Sequence, residues 1–276
     1  MARRSFCILL VLLTVLCAGC GRKTPEAPPT QATTAPTTEA TTEATEAPAT
    51  IPETEATEPP TEAPTEAPTE PPLVLHSGLR EDGSFNEGTL FIGDSLTFQE
   101  IYGYMRKHQV VGDARYIAIC GSATTAFFDG TRVTCSAVHT LASEQFDGML
   151  FSEAAVSMGE EATAIYLMWG TNFTKDGSAE DYIEILDYLL EHCPNATIHL
   201  QTVPFGWAAP YEKVNGRIQD AYAHYQEIGE ERVLLLDTFT GIGKAAASDG
   251  VHLNDTGKAR WYETILAHAQ ELELSE

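Results

Sequence analysis

The chain has 276 residues, of which 16 are basic and 40 acidic, giving a formal net charge of −24, with 43% hydrophobic residues. Residues 24–72 hold 12 of its 15 prolines, 15 threonines and ten glutamates, with no Lys or Arg and, proline aside, one apolar residue larger than Ala, Ile51; so little apolar surface cannot offset ordering entropy, which excludes a second folded domain there. Residues 73–276 keep 12 basic and 30 acidic side chains, a balance of −18 that argues against nucleic acid or an anionic membrane face as a ligand, because phosphate binding needs basic surface.

At the N-terminus, Arg3 and Arg4 precede an apolar run from Phe6 to Leu16 and then Cys17-Ala18-Gly19-Cys20. A short basic start, about ten apolar residues and small residues before a cut site describe an export signal, too short to span a bilayer as a helix. The Ala-Gly-Cys ending resembles the bacterial lipoprotein signal. That resemblance implies that residues 1–20 are a lipoprotein signal and that Cys20 becomes a lipidated N-terminus on the outer face of the cell membrane, the protein's one membrane contact. An ordinary cleaved secretion signal is the alternative. Residues 21–72 then read as a disordered tether, with Thr-Glu-Ala-Pro repeated at 61–64 and 65–68. Proline stiffens such a chain and like-charged glutamates extend it, to a reach on the order of 150 Å at about 3 Å per residue.

Residues 73–276 form the predicted folded domain, and the pattern there alternates. Leu90–Ile92 is a buried strand ending at Gly93, and residues 96–108 have helical spacing with Ile101, Tyr104 and Met105 on one face. A second strand over 116–119 follows, then a short helix over 151–158 and a third strand over 164–169. Ser178 opens a helix with Asp181 three residues on, and Ile183, Leu186, Leu189 and Leu190 are its expected apolar stripe. The fourth strand covers 197–203, a helix 211–227, the fifth strand 233–236 and a last helix 256–272 behind the capping residues Asn254 and Asp255. Apolar strands alternating with helices imply parallel pairing through right-handed crossovers. The expected fold is α/β: a doubly wound three-layer sandwich on a five-stranded parallel sheet.

Ligands in such folds bind beyond the carboxyl ends of the strands, where strand order reverses. Those ends carry Gly93-Asp94-Ser95, then Gly121, then Gly170-Thr171-Asn172, and, beyond the fifth strand, Asp249-Gly250-Val251-His252. Together they supply what acyl transfer requires. A serine hydroxyl needs a base to take its proton as it attacks, so Ser95 is the candidate nucleophile and His252 the base. Asp249 is placed to hold the imidazole tautomer and stabilise the imidazolium. The oxyanion needs aimed donors, for which the backbone amides of Ser95 and Gly121 and the side-chain amide of Asn172 are candidates.

These segments resemble the SGNH (GDSL-type) hydrolase family: Gly93-Asp94-Ser95-Leu96 matches its first block, Gly121 its second, Gly170-Thr171-Asn172 its third and Asp249 to His252 its last, in family order from about residue 88 to 272. The resemblance implies a flavodoxin-like three-layer fold and serine esterase or lipase-type activity without metal or other cofactor. One departure is Phe173, where many members carry an acidic residue after the asparagine. The absence of a second glycine after Ser95, and a base only three residues beyond its acid, argue against an α/β-hydrolase.

Other readings stand beside these. Ser95 can be a helix N-cap, Asn172 a turn cap, and Asp249 and His252 a mere connection. Asp94 is expected to orient the Ser95 loop. Trp169 reads as core, whereas Trp207 in the 204–210 loop is a candidate substrate contact, with Phe127 and Phe128 weaker ones. Three cysteines in the domain, Cys120, Cys135 and Cys193, fit no complete disulfide framework and read as buried thiols. A zinc site from Cys120, Cys135 and His139 lacks any close Cys-x-x-Cys pair. The expected activity is hydrolysis of carboxylic, especially acetyl, esters on glycans. The alternatives are a lysophospholipase or thioesterase of the same family and a non-catalytic glycan-binding module.

Overall fold

The computed structural model describes residues 73–275, apart from 136–139, 173–176, 205–210 and 244–248. Cys20 and the expected signal and tether therefore lie outside the described residues, as do His139, Phe173 and Trp207. The chain divides between Ala67 and Pro68, and every described residue belongs to the second unit.

Five parallel strands lie in the order β2-β1-β4-β5-β6: β1 Thr89–Gly93, β2 Arg115–Ile119, β4 Ala164–Met168, β5 Thr197–Gln201 and β6 Val233–Leu236. The doubly wound sandwich expected from the pattern is present, and a short strand adds to it: β3, Thr140–Leu141, pairs antiparallel with β2 at the edge. Two residues carry no periodicity, so this strand leaves no mark in sequence. The chain runs from β1 outward to β2, then returns past β1 to β4 and continues through β5 and β6. Strand order thus reverses between β1 and β4.

β1, β4 and β5 are buried along their whole length. In β5 this includes three polar residues at alternate positions, each with a partner. Thr197 Oγ1 accepts from His76 N at 2.8 Å, His199 bonds to His76 and His268, and Gln201 Oε1 accepts from Trp261 Nε1 at 2.9 Å. Burial of these groups without partners would cost a few kcal/mol each. On the other face of the strand, Ile198 and Leu200 face apolar packing.

The helices are α1 Ser95–Glu100, α2 Phe151–Gly159, α3 Ala179–His192, α4 Tyr211–Ile228, α5 Thr238–Ile242 and α6 Asp255–Ser275. α2, α3 and α4 pack along one face of the sheet, and α6 packs against the end of the α1 segment on the other. The helix expected over 96–108 keeps its buried face but changes pitch, passing from α1 into a π-helical turn, Ile101–Met105. Ser178 and Asp181 form the expected capping box on α3. Its buried stripe is Tyr182, Ile185, Leu186 and Leu189, one register round from the predicted one, which leaves Ile183 and Leu190 at the margin of the core. Tyr182 joins the stripe instead, its hydroxyl donating to Trp169 O at 2.9 Å. Asn254 caps α6, its Oδ1 accepting from Gly257 N at 2.8 Å. α5 is a further addition, capped by Asp237, whose carboxylate accepts from Thr240 N. Its β-branched sequence Thr-Phe-Thr-Gly-Ile hides it from propensity.

Candidate active site

Asp94, the last residue before α1, is wholly buried and accepts from Leu96 N at 2.9 Å, which starts the helix directly at the end of β1. That places Ser95 at the first helical position, 7% exposed, with its Oγ at the carboxyl edge of the sheet. His252 Nε2 lies 3.0 Å from Ser95 Oγ. His252 Nδ1 lies 2.8 Å from Asp249 Oδ2, and Asp249 Oδ1 accepts from the backbone amides of Val251 and His252 at 3.0 and 2.8 Å. With Asp249 accepting at Nδ1–H, Nε2 is the ring nitrogen left to accept from the Ser95 hydroxyl. The same hydrogen bonds, from the His252 side chain first, hold the Asp249 carboxyl far below the usual carboxylate range, although its side chain is 59% exposed.

The loop holding this acid and base is fixed from below. Tyr211, the first residue of α4, donates its hydroxyl to Gly250 O at 3.2 Å, and Leu253 is buried behind His252. Nothing in the sequence pattern around Tyr211 marks it for this work.

Asn172 and Gly121 come from the ends of β4 and β2. Gly121 takes φ +80°, a left-handed conformation that favours glycine, and a Cβ there would meet nothing within 4 Å, so the backbone is open on that side. Asn172 Nδ2 donates to Ser122 O at 3.0 Å, next to Gly121, and lies 3.5 Å from Asp94 Oδ2, next to Ser95. The three expected amide donors are thus tied into one neighbourhood by direct contacts. Among the described residues, neither the Ser95 nor the Gly121 backbone N–H donates to another protein group.

Two further residues support this neighbourhood. Trp169, buried as expected for core, donates Nε1–H toward both Ser122 O and Ser122 Oγ at 3.2 and 3.1 Å. Thr171 donates its hydroxyl to Asp94 Oδ2 at 2.5 Å and its N–H at 3.2 Å. Asp94 therefore clamps the turn after β1 to the turn after β4, the two sides of the strand-order reversal, which extends the loop-orienting role expected for it. Burial pushes its carboxyl above the ordinary value, opposed by the donors from Thr171, Leu96 and Gly170. Gly170 takes φ +131°, and a Cβ there would strike Tyr182 Oη at 2.6 Å.

Other expectations meet the structure less closely. Cys193 is buried, but Cys120 and Cys135 are only half-buried, a correction to the reading of three buried thiols. Burial still pushes the Cys120 thiol up, away from thiolate chemistry. Phe127 is core, packed on Phe151 and Trp169, while Phe128 is 40% exposed. A separate hollow lies at the opposite edge, around Asn86, Asp113 and Arg115 at the amino ends of the strands, away from Ser95 and His252.

No protein-family model and no curated protein matches the chain. Solved structures do. A carbohydrate esterase family 3 protein from Talaromyces cellulolyticus is 14% identical, covering 67% of this chain and 97% of its own, with a TM-score of 0.46. A carbohydrate acetylesterase family member from Sinorhizobium meliloti is 15% identical, with coverages of 67% and 98% and a TM-score of 0.42. The C-terminal catalytic domain of peptidoglycan O-acetyltransferase A from Streptococcus pneumoniae is 16% identical, with coverages of 67% and 94% and a TM-score of 0.40.

Proposed function

We propose that this chain is a serine ester hydrolase of the SGNH (GDSL-type) family, anchored outside the cell through lipid on Cys20. The observation that carries the reading is the unbroken series from Ser95 Oγ through His252 to Asp249, at 3.0 and 2.8 Å, made by residues 157 positions apart in the chain.

Ser95 Oγ attacks the ester carbonyl carbon while its proton passes to His252 Nε2, and Asp249 stabilises the resulting imidazolium through Nδ1–H. The carbonyl oxygen, now negative, takes hydrogen bonds from the Ser95 and Gly121 amides and from Asn172 Nδ2. His252 returns the proton to the leaving alcohol, and the carbon–oxygen bond breaks to leave an acyl group on Ser95. Water, deprotonated by His252, then releases the acid and restores Ser95. Export and a folded-domain charge of −18 favour neutral ester substrates over anionic lipids. Acetyl esters of glycans are the leading class.

A fluorophosphonate probe tests the reading. Folded protein should gain one adduct, mapped by mass spectrometry to Ser95 and absent from Ser95→Ala. An unlabelled folded protein would instead support a glycan-binding module. Hydrolysis of acetyl, butyryl and long-chain esters, beside acetylated xylan and peptidoglycan, then separates the glycan esterase from a lysophospholipase or thioesterase. Metabolic labelling with a fatty acid, lost in Cys20→Ala, checks the anchor.

A further inference from the structure

Among the described residues only three buried side-chain polar atoms lack a hydrogen-bond partner, and two of them are the carboxyl oxygens of Glu100. Glu100 is 0% exposed. It closes α1, five residues after Ser95, at the point where the helix becomes the π turn. Leaving a buried carboxyl with both acceptors empty costs several kcal/mol if it is charged, so its place needs an explanation.

The surroundings supply one. The π turn packs against α6, which begins three residues after His252. Lys258, in the first turn of α6, is only 15% exposed, and its ammonium stands 3.7 Å from Asp255 Oδ1 on the outer side. The same ammonium lies beside Gly103 of the π turn, where a Cβ would meet Nζ at 3.5 Å. Lys258 is therefore close enough for its charge to act on Glu100, yet makes no ion pair with it. Tyr104 on the π turn feels both Glu100 and Glu263 and lies 4.3 Å from the His108 ring, Tyr262 on α6 lies 5.9 Å from the Tyr104 ring, and Arg106 at the end of the turn sits over the Tyr102 ring. Lys258 is the cation whose charge acts on Glu100. Glu100 thus stands between the segment that carries Ser95 at its head and the helix that His252 leads into.

Resting on the reading of Ser95 and His252 as nucleophile and base, we propose that Glu100 is a positioning residue for that couple, proton-linked through Lys258. Uncharged, Glu100 leaves Lys258 with Asp255 and the two segments packed with Ser95 and His252 in contact. Ionised, it draws Lys258 inward, shifts the first turn of α6 and moves His252 out of reach of Ser95. Burial favours the uncharged form to well above the ordinary carboxylate range, with the Lys258 charge pulling the other way.

The test combines two readouts on the folded domain. The first is the second-order rate of fluorophosphonate labelling across pH for wild type, Glu100→Gln and Lys258→Met. The second is the titration of Glu100 followed by its carboxyl carbon resonance. Wild-type labelling should fall about tenfold to a hundredfold as Glu100 ionises, the usual penalty for displacing a reacting group by about 1 Å. Glu100→Gln should hold its rate through that range, and Lys258→Met, which lacks the ammonium that is drawn inward, should hold its rate as well while its Glu100 titration moves to higher pH. A Glu100→Gln variant that keeps the wild-type fall overturns the proposal, as does a Glu100 that titrates in the ordinary carboxylate range. If Glu100→Gln does not fold, Lys258→Met decides: an unmoved Glu100 titration overturns it. Failure of wild type to label at any pH, with Glu100 still titrating high and responding to Lys258→Met, removes the esterase reading and the link to His252 while leaving the Glu100–Lys258 coupling measured.

Discussion

Two histidines in this domain sit in series of hydrogen bonds of nearly the same length, and only one of them is placed for chemistry. His252, at the carboxyl edge of the sheet, lies between Ser95 Oγ at 3.0 Å and a carboxylate oxygen of Asp249 at 2.8 Å. His199, in the middle of β5, lies between the ring of His268 at 3.0 Å and the carbonyl of His76 at 2.9 Å, stacked on Tyr166 at 4.3 Å. Bond length does not separate them; partners and water do. The carboxylate beside His252 stabilises the ring when it gains a proton, and the hydroxyl on its other side has a proton to give. His199 faces a second imidazole and a carbonyl with no access to solvent, so its protonation would bury an uncompensated charge. The first arrangement is the one the proposed chemistry needs, and the second ties residues 76–77 to β5, β4 and α6.

Swapping each ring out should separate chemistry from folding. Ser95→Ala or His252→Ala should lower turnover by about 10⁴-fold or more. Their melting temperatures should stay within a few degrees of wild type. A variant that loses activity only because it unfolds would erase the distinction. His199→Ala should do the reverse. It opens a cavity and leaves the His76 carbonyl and the His268 ring without their partner, a loss of about 3–4 kcal/mol in denaturant unfolding, while activity per folded molecule stays near wild type. Equal losses of activity and stability would mean that the two regions are coupled.

Asn172→Ala sharpens the comparison on the donor side. Nδ2 donates to Ser122 O at 3.0 Å, while its contacts to Asp94 Oδ2 and Thr171 Oγ1 are long, at 3.5 Å, so the second N–H is weakly held and can turn to an oxyanion. Removing it should lower kcat by about 10²–10³ with KM little changed. An effect confined to KM would refute the oxyanion role.

The two regions also differ in how legible they are in the amino-acid sequence. The site lies at strand ends, in short segments whose residue types have few other uses together, so Ser95, Asp249, His252, Gly121 and Asn172 stand out as a set. The supports of that site do not. Trp169 reads as core because it is core, and its N–H to Ser122 depends on a loop that periodicity cannot shape. Tyr211 opens a helix and gives no hint that its hydroxyl holds Gly250. Asp94 is the intermediate case: its N-cap role follows from its place before a helix, but its bonds to Thr171 need the β1–β4 neighbourhood that only sheet order creates. His199 reads as an ordinary surface or core histidine, since a polar residue within an apolar strand carries no sign of its partners. The sheet itself is legible because its strands are apolar runs buried on both faces. The edge strand β3 and the capped turn α5 are not, being too short for a period and decided by tertiary contacts.

The smallest expected effect is a slope, and it falls on the buried ring. Burial, then the neighbouring His268, pushes His199 down to about 3, against the opposing bond to the His76 carbonyl. The unfolded chain releases the same proton near 6.5. Between those values the unfolded state binds a proton that the folded state refuses, so stability present above pH 6.5 is lost as pH falls toward 3. One such group contributes a slope of up to about 1.4 kcal/mol per pH unit. His268, lowered as well by burial, adds in the same direction. Asp249 adds to the loss only below about pH 5, where the unfolded carboxyl begins to take up a proton that the folded one, held far lower by its bonds to His252, refuses. His199→Gln keeps a donor for the His76 carbonyl and an acceptor for His268 but cannot titrate. Its unfolding free energy, measured in urea from pH 7 to pH 4, should therefore change with a slope shallower by about one proton than that of wild type. An unchanged slope would mean that His199 takes up its proton in the folded domain, and the contrast between a ring held by a carboxylate and one held by neutral partners out of water would be lost.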